Sequence, residues 1–229
     1  MKTNRVFKVS SRKALQTRGT LKDRIVEAAR GLFLEAGFVR VRSEDIAARL
    51  GISKATLYRE FPSKDAILHA VVGRVVAETS AAVEEIVRDG GRDFVEKMIG
   101  LTGIVKSTIS HMQSPLGRDV EKCAPEIWKE IDAFRRKMIL ANFKTLLGAG
   151  VREGVLRRDV DQDLIVLIWV TLVQSLLTPG MILRLPHSAD AAFETMIKII
   201  FEGLLTKDGR RRYTGRPDSP FVLRKEVLP

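Results

Sequence analysis

The chain has 229 residues, 45% of them hydrophobic and 6% aromatic, with a net charge of +11. This length allows one large or two small domains with a buried core. No apolar run reaches the ~18 residues of a membrane span, and Met1 leads into no apolar signal segment, so we expect a cytoplasmic protein with no membrane partner. A single cysteine, Cys123, excludes an internal disulfide and a zinc site made of several cysteines.

The positive charge is unevenly distributed along the chain. Residues 1–64 contain 15 Lys and Arg against 6 Asp and Glu, a net charge of +9. Residues 65–206 contain 17 against 19, a net charge of −2, and residues 207–229 contain 7 against 3, a net charge of +4. Because Lys and Arg neutralise DNA phosphates, this asymmetry favours DNA binding by the N-terminal part. On charge alone, a solvated basic face is an equal alternative.

Residues 1–19 are polar and basic and predict a flexible arm. Such an arm would lie along phosphates or enter the minor groove, or else remain a solvated tail. Thr20 followed by Asp23 predicts a helix cap, and the helix after it, which ends near Gly37, has one apolar face. We expect this first helix to pack behind the next two.

Residues 43–64 predict two short helices joined by a tight turn. Ser43 is expected to cap the first helix, and Gly51 to end it in a left-handed backbone conformation. Ser53 is expected to cap the second helix, which buries Leu57 and leaves a polar, cationic outer face. A short helix with such a face suits insertion into a DNA major groove.

The motif in this stretch consists of Ile46-Ala47, Gly51-Ile52-Ser53, Thr56-Leu57-Tyr58, Phe61 and Pro62-Ser63-Lys64. It resembles the DNA-binding signature of TetR-type (tetracycline-repressor-like) transcriptional regulators, over about residues 20–70. Two positions differ from the common pattern: Ala55 stands where many members have Gly, and Glu60 where an aromatic residue or His is common. The resemblance implies an all-α protein, with an N-terminal three-helix helix-turn-helix DNA-binding domain followed by a larger helical ligand-binding and dimerisation domain.

Helix geometry and this resemblance together predict the residues that contact DNA. They are Arg42, Ser43, Ser53, Lys54, Ala55, Thr56, Tyr58, Arg59 and Lys64. We expect Lys54 or Arg59 to reach base edges. Phosphate is expected to be bound mainly by Ser43, Thr56, Tyr58 and Lys64.

A long helix is predicted from Ser63 to about residue 88, where Asp89-Gly90-Gly91 ends it. It would bridge the DNA-binding domain, 20–66, and the ligand-binding and dimerisation domain, 67–206. From residue 92 onward we predict about five helical segments, followed by a basic tail over 207–229. The helical segments cover about 92–111, a short piece between Pro115 and Pro125, and then 126–149, 162–177 and 188–205.

The segments 162–177 and 190–205 are apolar on nearly every face. A helix that is apolar all round must be covered all round, so we expect two copies to pack these helices as a four-helix bundle. The resembled family usually dimerises here, and burial within one chain is the alternative. The predicted interface residues are Leu172, Leu176, Phe193, Ile197, Ile200, Phe201 and Leu204.

The remaining helices are expected to enclose a pocket for a small apolar or aromatic effector, because Met side chains adapt and aromatic faces are flat. Its predicted lining residues are Met98, Leu101, Thr102, His111, Asn142, Phe143, Trp169 and Gln174. For each of them, ordinary core packing is the alternative explanation.

Enzymatic motifs are absent from the sequence. It has no GxSxG, GxxxxGK[ST] or GxGxxG motif, and its histidines lack metal-ligand spacing, so we expect no enzyme, cofactor or metal. The sequence predicts a ligand-responsive regulator, most simply a repressor that binds a palindromic operator in double-stranded DNA as a homodimer and is released by a small molecule. The alternatives are an architectural or nonspecific DNA-binding protein, and a small-molecule carrier or enzyme on a helical scaffold.

Overall fold

The computed structural model describes residues 19–214, with side chains to residue 212. The predicted arm before residue 19 and the tail after residue 214 lie outside the described residues. The fold is all-α, as predicted, and within 19–214 the one extended pairing is an isolated bridge between Leu156 and Leu205. The helices are α1 (Leu21–Ala36), α2 (Ser43–Leu50), α3 (Lys54–Glu60), α4 (Lys64–Arg88), α5 (Phe94–Gln113), α6 (Pro115–Cys123), α7 (Pro125–Arg152), α8 (Gln162–Leu176), α9 (Pro179–Ile182), α10 (Ala189–Leu204) and α11 (Lys207–Thr214).

Helices α1, α2 and α3 form the predicted three-helix unit around one apolar core. α1 begins at the expected cap, where Thr20 Oγ1 accepts a hydrogen bond from the Asp23 amide at 3.2 Å and Asp23 Oδ2 accepts one from the Thr20 amide at 3.0 Å. The core of this unit includes completely buried side chains from all three helices and from the start of α4. They are Ile25, Phe33, Ile46, Leu57, Ile67 and Leu68.

The turn between α2 and α3 has the predicted conformation. Gly51 has φ 66° and ψ 31°, and the Ile52 amide donates to the Ala47 carbonyl at 3.0 Å, which ends α2. Ser53 Oγ accepts from the Thr56 amide at 3.0 Å and caps α3. The predicted cap at Ser43 is wrong by one residue.

The N-cap of α2 is Arg42, whose amide donates to Asp45 Oδ2 at 2.7 Å. The Asp45 carboxylate can therefore hold the helix start from inside the first turn, which frees Ser43 for a contact with α3.

A second core lies between α5, α7, α8 and α10. Within residues 19–214, seven helices follow residue 92 instead of about five, because the short α9 begins at Pro179, which was expected to end a segment, and α11 forms in the predicted tail. Pro115 likewise occupies the first turn of α6. Proline is well tolerated there, since that amide has no partner within the helix. The first residues of the predicted basic tail form α11, and its Gly209 packs so closely on the Val155 carbonyl that a Cβ would lie 2.2 Å from the oxygen.

Two helices connect the second core to the three-helix unit. α4 continues directly from the unit, and its Arg74 is ion-paired with Asp23 of α1. α6 packs against α1 through Leu116 and Val120, which belong to the core of the three-helix unit. Asp119 Oδ2 of α6 also accepts a hydrogen bond from the Val39 amide at 2.9 Å. The three-helix unit is therefore attached to the second core at two points.

By length and composition alone, α4 would be apolar enough to cross a membrane. It packs against α1, α5 and α7, and its Glu78 forms an ion pair with Arg30 of α1, in which Oε2 and Nη1 are 2.8 Å apart. Apolar length by itself is weak evidence for a span, since core helices of soluble proteins share it.

Candidate DNA-binding surface and ligand cavity

α3 presents the outer face that the sequence predicted. Leu57 is completely buried beneath the helix, whereas Lys54, Ala55 and Arg59 are exposed and Tyr58 is 38% exposed. The predicted contact residues Arg42 and Ser53, at the starts of α2 and α3, are exposed as well. A convex helix with exposed cationic and aromatic groups fits a major groove.

Lys54 is held by a carboxylate that the sequence analysis missed. Its ammonium group forms an ion pair with Glu44 of α2 and lies 5.8 Å from the centroid of the Tyr58 ring. The hydrogen bond between the two side chains lowers the pKa of Glu44 and raises the pKa of Lys54. One of its three N–H donors is therefore used within the protein, and a contact with DNA would use the other two or replace Glu44.

The predicted phosphate ligands Ser43 and Tyr58 bind each other. The Tyr58 hydroxyl donates to Ser43 Oγ at 3.0 Å, and Ser43 is only 6% exposed. Ser53 and Thr56 likewise share a hydrogen bond between their hydroxyl groups, 2.9 Å long. These pairs fix the orientation of α3 and its side chains in the free protein. Less conformational entropy would therefore be lost when this surface binds a partner.

Lys64 is occupied within the protein, in contrast to its predicted role at a phosphate. Its ammonium donates to the Phe38 carbonyl at 2.9 Å and the Val41 carbonyl at 3.0 Å, and it lies 4.3 Å from the centroid of the Phe38 ring. Lys64 thus ties the turn between α1 and α2 to the start of α4. Two of its three N–H donors are used in this way.

We expect Lys64→Ala to lower the free energy of unfolding by about 1–3 kcal/mol, because two partly buried carbonyls lose a charged donor. Urea denaturation without DNA measures this loss. Lys22→Ala, which removes an exposed ammonium from α1, is the matched control and should change stability by less than about 0.5 kcal/mol. If Lys64→Ala leaves the free energy of unfolding unchanged but weakens binding to all DNA sequences equally, the result would instead support the predicted phosphate contact of Lys64.

A cavity of about 190 Å³ lies between α4, α5, α7, α8 and α10. Its wall is almost entirely apolar, and Phe143 and Trp169 stack within it with ring centroids 5.1 Å apart. Six predicted ligand-binding residues line the cavity: Met98, Leu101, Thr102, Asn142, Phe143 and Trp169. The structure therefore brings most of the predicted set together.

His111 and Gln174 lie outside the cavity. His111 lies in the last turn of α5, near Arg30 of α1 and Glu78 of α4, and its pKa is lowered by burial and then by the Arg30 guanidinium. Gln174 Nε2 donates to Asp132 Oδ2 at 2.7 Å, between α8 and α7. Both positions are on helices that line the cavity, but helical periodicity directs these side chains to other faces. Within residues 19–214, no group of three His, Cys, Asp or Glu is placed to hold a metal ion.

Arg135 is a charged cavity residue that the sequence analysis missed. It is 8% exposed, and its guanidinium donates through Nη1 to the Leu177 carbonyl and through Nη2 to Asp132 Oδ1, both at 2.7 Å. Within residues 19–214, Arg135 Nε is the one buried side-chain nitrogen or oxygen without a hydrogen-bond partner. In the sequence, Arg135-Arg136-Lys137 has the pattern of a solvated charge run, which gives no sign of a buried side chain.

The predicted dimer interface needs a correction. Four of its residues belong to the chain's own core and are at most 6% exposed: Phe193, Ile197, Phe201 and Leu204. Their spacing places them on one face of α10, which packs inward, while Leu172, Leu176 and Ile200 are half-buried. The large apolar side chains exposed on these helices are instead Leu164, Leu167 and Ile168 of α8 and Ile199 of α10, at 54%, 51%, 40% and 70% exposure.

Comparison with known proteins agrees with this geometry. Residues 25–71 match the family described as bacterial regulatory proteins, tetR family. The uncharacterized HTH-type transcriptional regulator YdeS of Bacillus subtilis (strain 168) is 31% identical over 165 residues, which are 68% of this chain and 78% of YdeS. Members of this family are transcriptional regulators, not enzymes. The chain belongs to the TetR family.

Solved structures share the fold. A transcriptional regulator from Cytophaga hutchinsonii superposes with a TM-score of 0.68 at 16% identity and covers 80% of this chain and 98% of its own. A putative transcriptional regulator from Saccharomonospora viridis, solved in complex with choline, gives a TM-score of 0.62 at 22% identity, with 81% and 98% coverage. Both alignments extend over the three-helix unit and the larger domain together.

Proposed function

We propose that this protein is a cytoplasmic repressor that binds a palindromic operator as a homodimer and releases it when a small apolar effector occupies the cavity. The observation that carries the proposal is the contact between the cavity and α4. Four cavity residues, Val75, Val76, Thr79 and Val83, belong to this helix, which begins at the three-helix unit. A ligand in the cavity would therefore touch the helix that directly follows α3, the helix proposed to enter the major groove.

The dimer is supported by the exposed apolar side chains of α8 and α10. Two copies related by a two-fold axis would place their α3 helices in successive major grooves, about 34–36 Å apart, and would read a palindrome. The two basic units would then approach the same face of the DNA, which agrees with the N-terminal concentration of charge.

Release follows from differential affinity. An effector dissociates the complex only by binding an arrangement of the subunits that does not fit DNA more tightly than the arrangement that does. α4 begins about 16 Å from Val75 at 1.5 Å per residue, so a small tilt at the cavity displaces α3. The choline complex of the Saccharomonospora viridis regulator supports small-molecule binding in a protein of this fold.

The operator contact is tested with DNA sites selected by the protein from a random pool. We expect the selected sites to be palindromic and to bind at least tenfold tighter than scrambled DNA at physiological salt. Arg59→Ala, which removes an exposed guanidinium from α3, should cost about 1–3 kcal/mol and relax the preference at one base position in each half-site.

Arg88→Ala is the matched control, because it removes an exposed guanidinium from the far end of α4. It should leave operator affinity within about twofold of the wild type. If selected and scrambled DNA bind equally well, the architectural alternative replaces the repressor. A selected site that Arg59→Ala binds like the wild type would assign base contact to another residue of α3.

A further inference from the structure

We propose that the effector is an unbranched aliphatic chain that lies extended along the cavity, parallel to α5 and α7. This inference rests on the proposed function, because it takes the cavity to be the effector site. Three properties of the cavity support it: its length, its width and the chemistry of its wall.

The cavity is long because two of its walls are antiparallel helices. Near one end, Phe94 of α5 packs against Gly150 of α7, where a Cβ on the glycine would lie 2.9 Å from Phe94 Cδ2. Near the other end, Met112 Sδ of α5 lies 3.9 Å from Arg135 Nη1 of α7. Between these contacts, residues from every turn of α5 from Met98 to Met112 line the cavity, a span of about 21 Å at about 1.5 Å per residue.

The cavity is also narrow. On α7, lining residues continue from Arg135 to Leu146, about 16 Å at the same rise. The centre of a water molecule can occupy about 190 Å³ of the cavity. Over a length of about 18 Å, that volume has a mean cross-section of about 10 Å², and the radius of water, about 1.4 Å, widens the bore to about 6 Å. Carbon atoms in contact are about 3.5–4.0 Å apart, so this bore fits one extended chain but not a large ring.

The wall offers a ligand dispersion contacts and few hydrogen bonds. Thr102 Oγ1 donates to the Met98 carbonyl of its own helix at 2.8 Å. Thr108 Oγ1 likewise donates to the Ile104 carbonyl at 2.9 Å. The Arg135 guanidinium is already ion-paired within α7. A polar substituent would lose its hydrogen bonds to water in this space, whereas every buried CH₂ group is favourable.

The length of the cavity sets the length of the chain. With C–C bonds of about 1.5 Å, an extended chain advances about 1.3 Å per carbon, so a span of about 16–21 Å takes about 12–16 carbons. 1-Hexanol, 1-octanol, 1-decanol and 1-dodecanol all fit within this span, and each added CH₂ should raise the affinity by about three- to fourfold. Cyclodecanol has as many carbons as 1-decanol, but its closed ring is wider than the bore.

The first test measures binding of these five alcohols to the DNA-free protein by calorimetry. Affinity should rise at least 100-fold from 1-hexanol to 1-dodecanol. 1-Decanol should bind at least tenfold tighter than cyclodecanol after each affinity is divided by the compound's octanol–water partition coefficient. This division removes the part of the difference that comes from hydrophobicity alone.

The second test shortens the cavity at one end. Val75 of α4 lines the end near Arg135, since Ile86 of the same helix packs against Gly100 of α5 at the opposite end. Val75→Phe should weaken 1-dodecanol binding at least tenfold and leave 1-hexanol, which fits the remaining length, within about threefold. Gly73→Phe is the matched control, because it places the same ring on the exposed face of α4, where a Cβ meets open space, and it should keep the wild-type affinities.

Equal corrected affinities for 1-decanol and cyclodecanol would overturn the proposal, as would no increase with chain length or equal weakening of 1-hexanol and 1-dodecanol by Val75→Phe. If Val75→Phe does not fold, by circular dichroism, the wild-type comparison of 1-decanol with cyclodecanol decides. Operator release is measured separately. Chain-selective binding without release of DNA would confirm the aliphatic site and contradict the proposed repressor mechanism, whereas release by cyclodecanol alone would keep that mechanism and overturn the aliphatic chain.

Discussion

Replacing Leu167 by Glu is expected to convert the proposed dimer into a monomer that no longer holds its operator. Leu167 is 51% exposed on α8, and its neighbours Leu164 and Ile168 extend the same apolar surface. A carboxylate at the centre of a dimer interface would have to be buried without a partner, which costs several kcal/mol. Since a dimer binds two half-sites through one linked event, its loss should weaken operator binding by about 100-fold or more.

Sedimentation velocity at micromolar concentration and fluorescence anisotropy with a selected operator measure the two effects of Leu167→Glu. The matched control is Leu183→Glu, which places the same charge on a leucine that is 61% exposed in the turn after α9. The control should remain a dimer with unchanged operator affinity. A wild-type monomer, or a Leu167→Glu variant that stays dimeric, would contradict an interface on α8.

Truncating Phe201 should have the largest effect on the stability of a single chain. Its ring is completely buried and lies 6.4 Å from the ring centroids of both Phe143 and Trp169, edge-on to each. Phe201→Ala leaves a cavity in this cluster and should lower the free energy of unfolding by about 3–5 kcal/mol. Urea denaturation at several protein concentrations measures it.

The comparison is best made in the Leu167→Glu background, where unfolding does not include dissociation. Ile199→Ala, two residues away on the outer face of α10 and 70% exposed, is the control and should change the monomer's stability by less than about 0.5 kcal/mol. If Phe201→Ala has normal stability in this background, and the same substitution in the otherwise wild-type protein produces a monomer, Phe201 lies in the interface and the inward orientation of α10 is contradicted.

The parts of the molecule that could be predicted from sequence are those set by local chemistry. Gly51 ends α2 because a left-handed residue is needed there, and Ser53 caps α3 through its own hydroxyl group. Four of the six predicted cavity residues, Met98, Leu101, Phe143 and Trp169, were found because apolar positions at helical spacing face the neighbouring helices. These signals act over a few residues and depend little on the rest of the fold.

The parts that could not be predicted depend on distant partners. α10 is apolar on most of its surface, so periodicity could not tell which face meets its own chain and which remains free. Lys64 has the sequence context of a phosphate ligand, yet two carbonyls more than twenty residues away hold it. Arg135 is surrounded in sequence by charged residues, and only the packing of α5, α7 and α8 removes it from water.

A DNA contact in which Lys54 gives up its ion pair with Glu44 would make binding a competition for the ammonium group. A phosphate or base that takes the ammonium group must displace a carboxylate, so the free energy gained is the difference between two partners, not the full value of a free lysine. The displaced Glu44 then stands next to a polyanion, which repels it unless a base edge offers a donor. We therefore expect weak acceptors on random DNA to gain little from Lys54, so that the ion pair would disfavour binding at the wrong sequence.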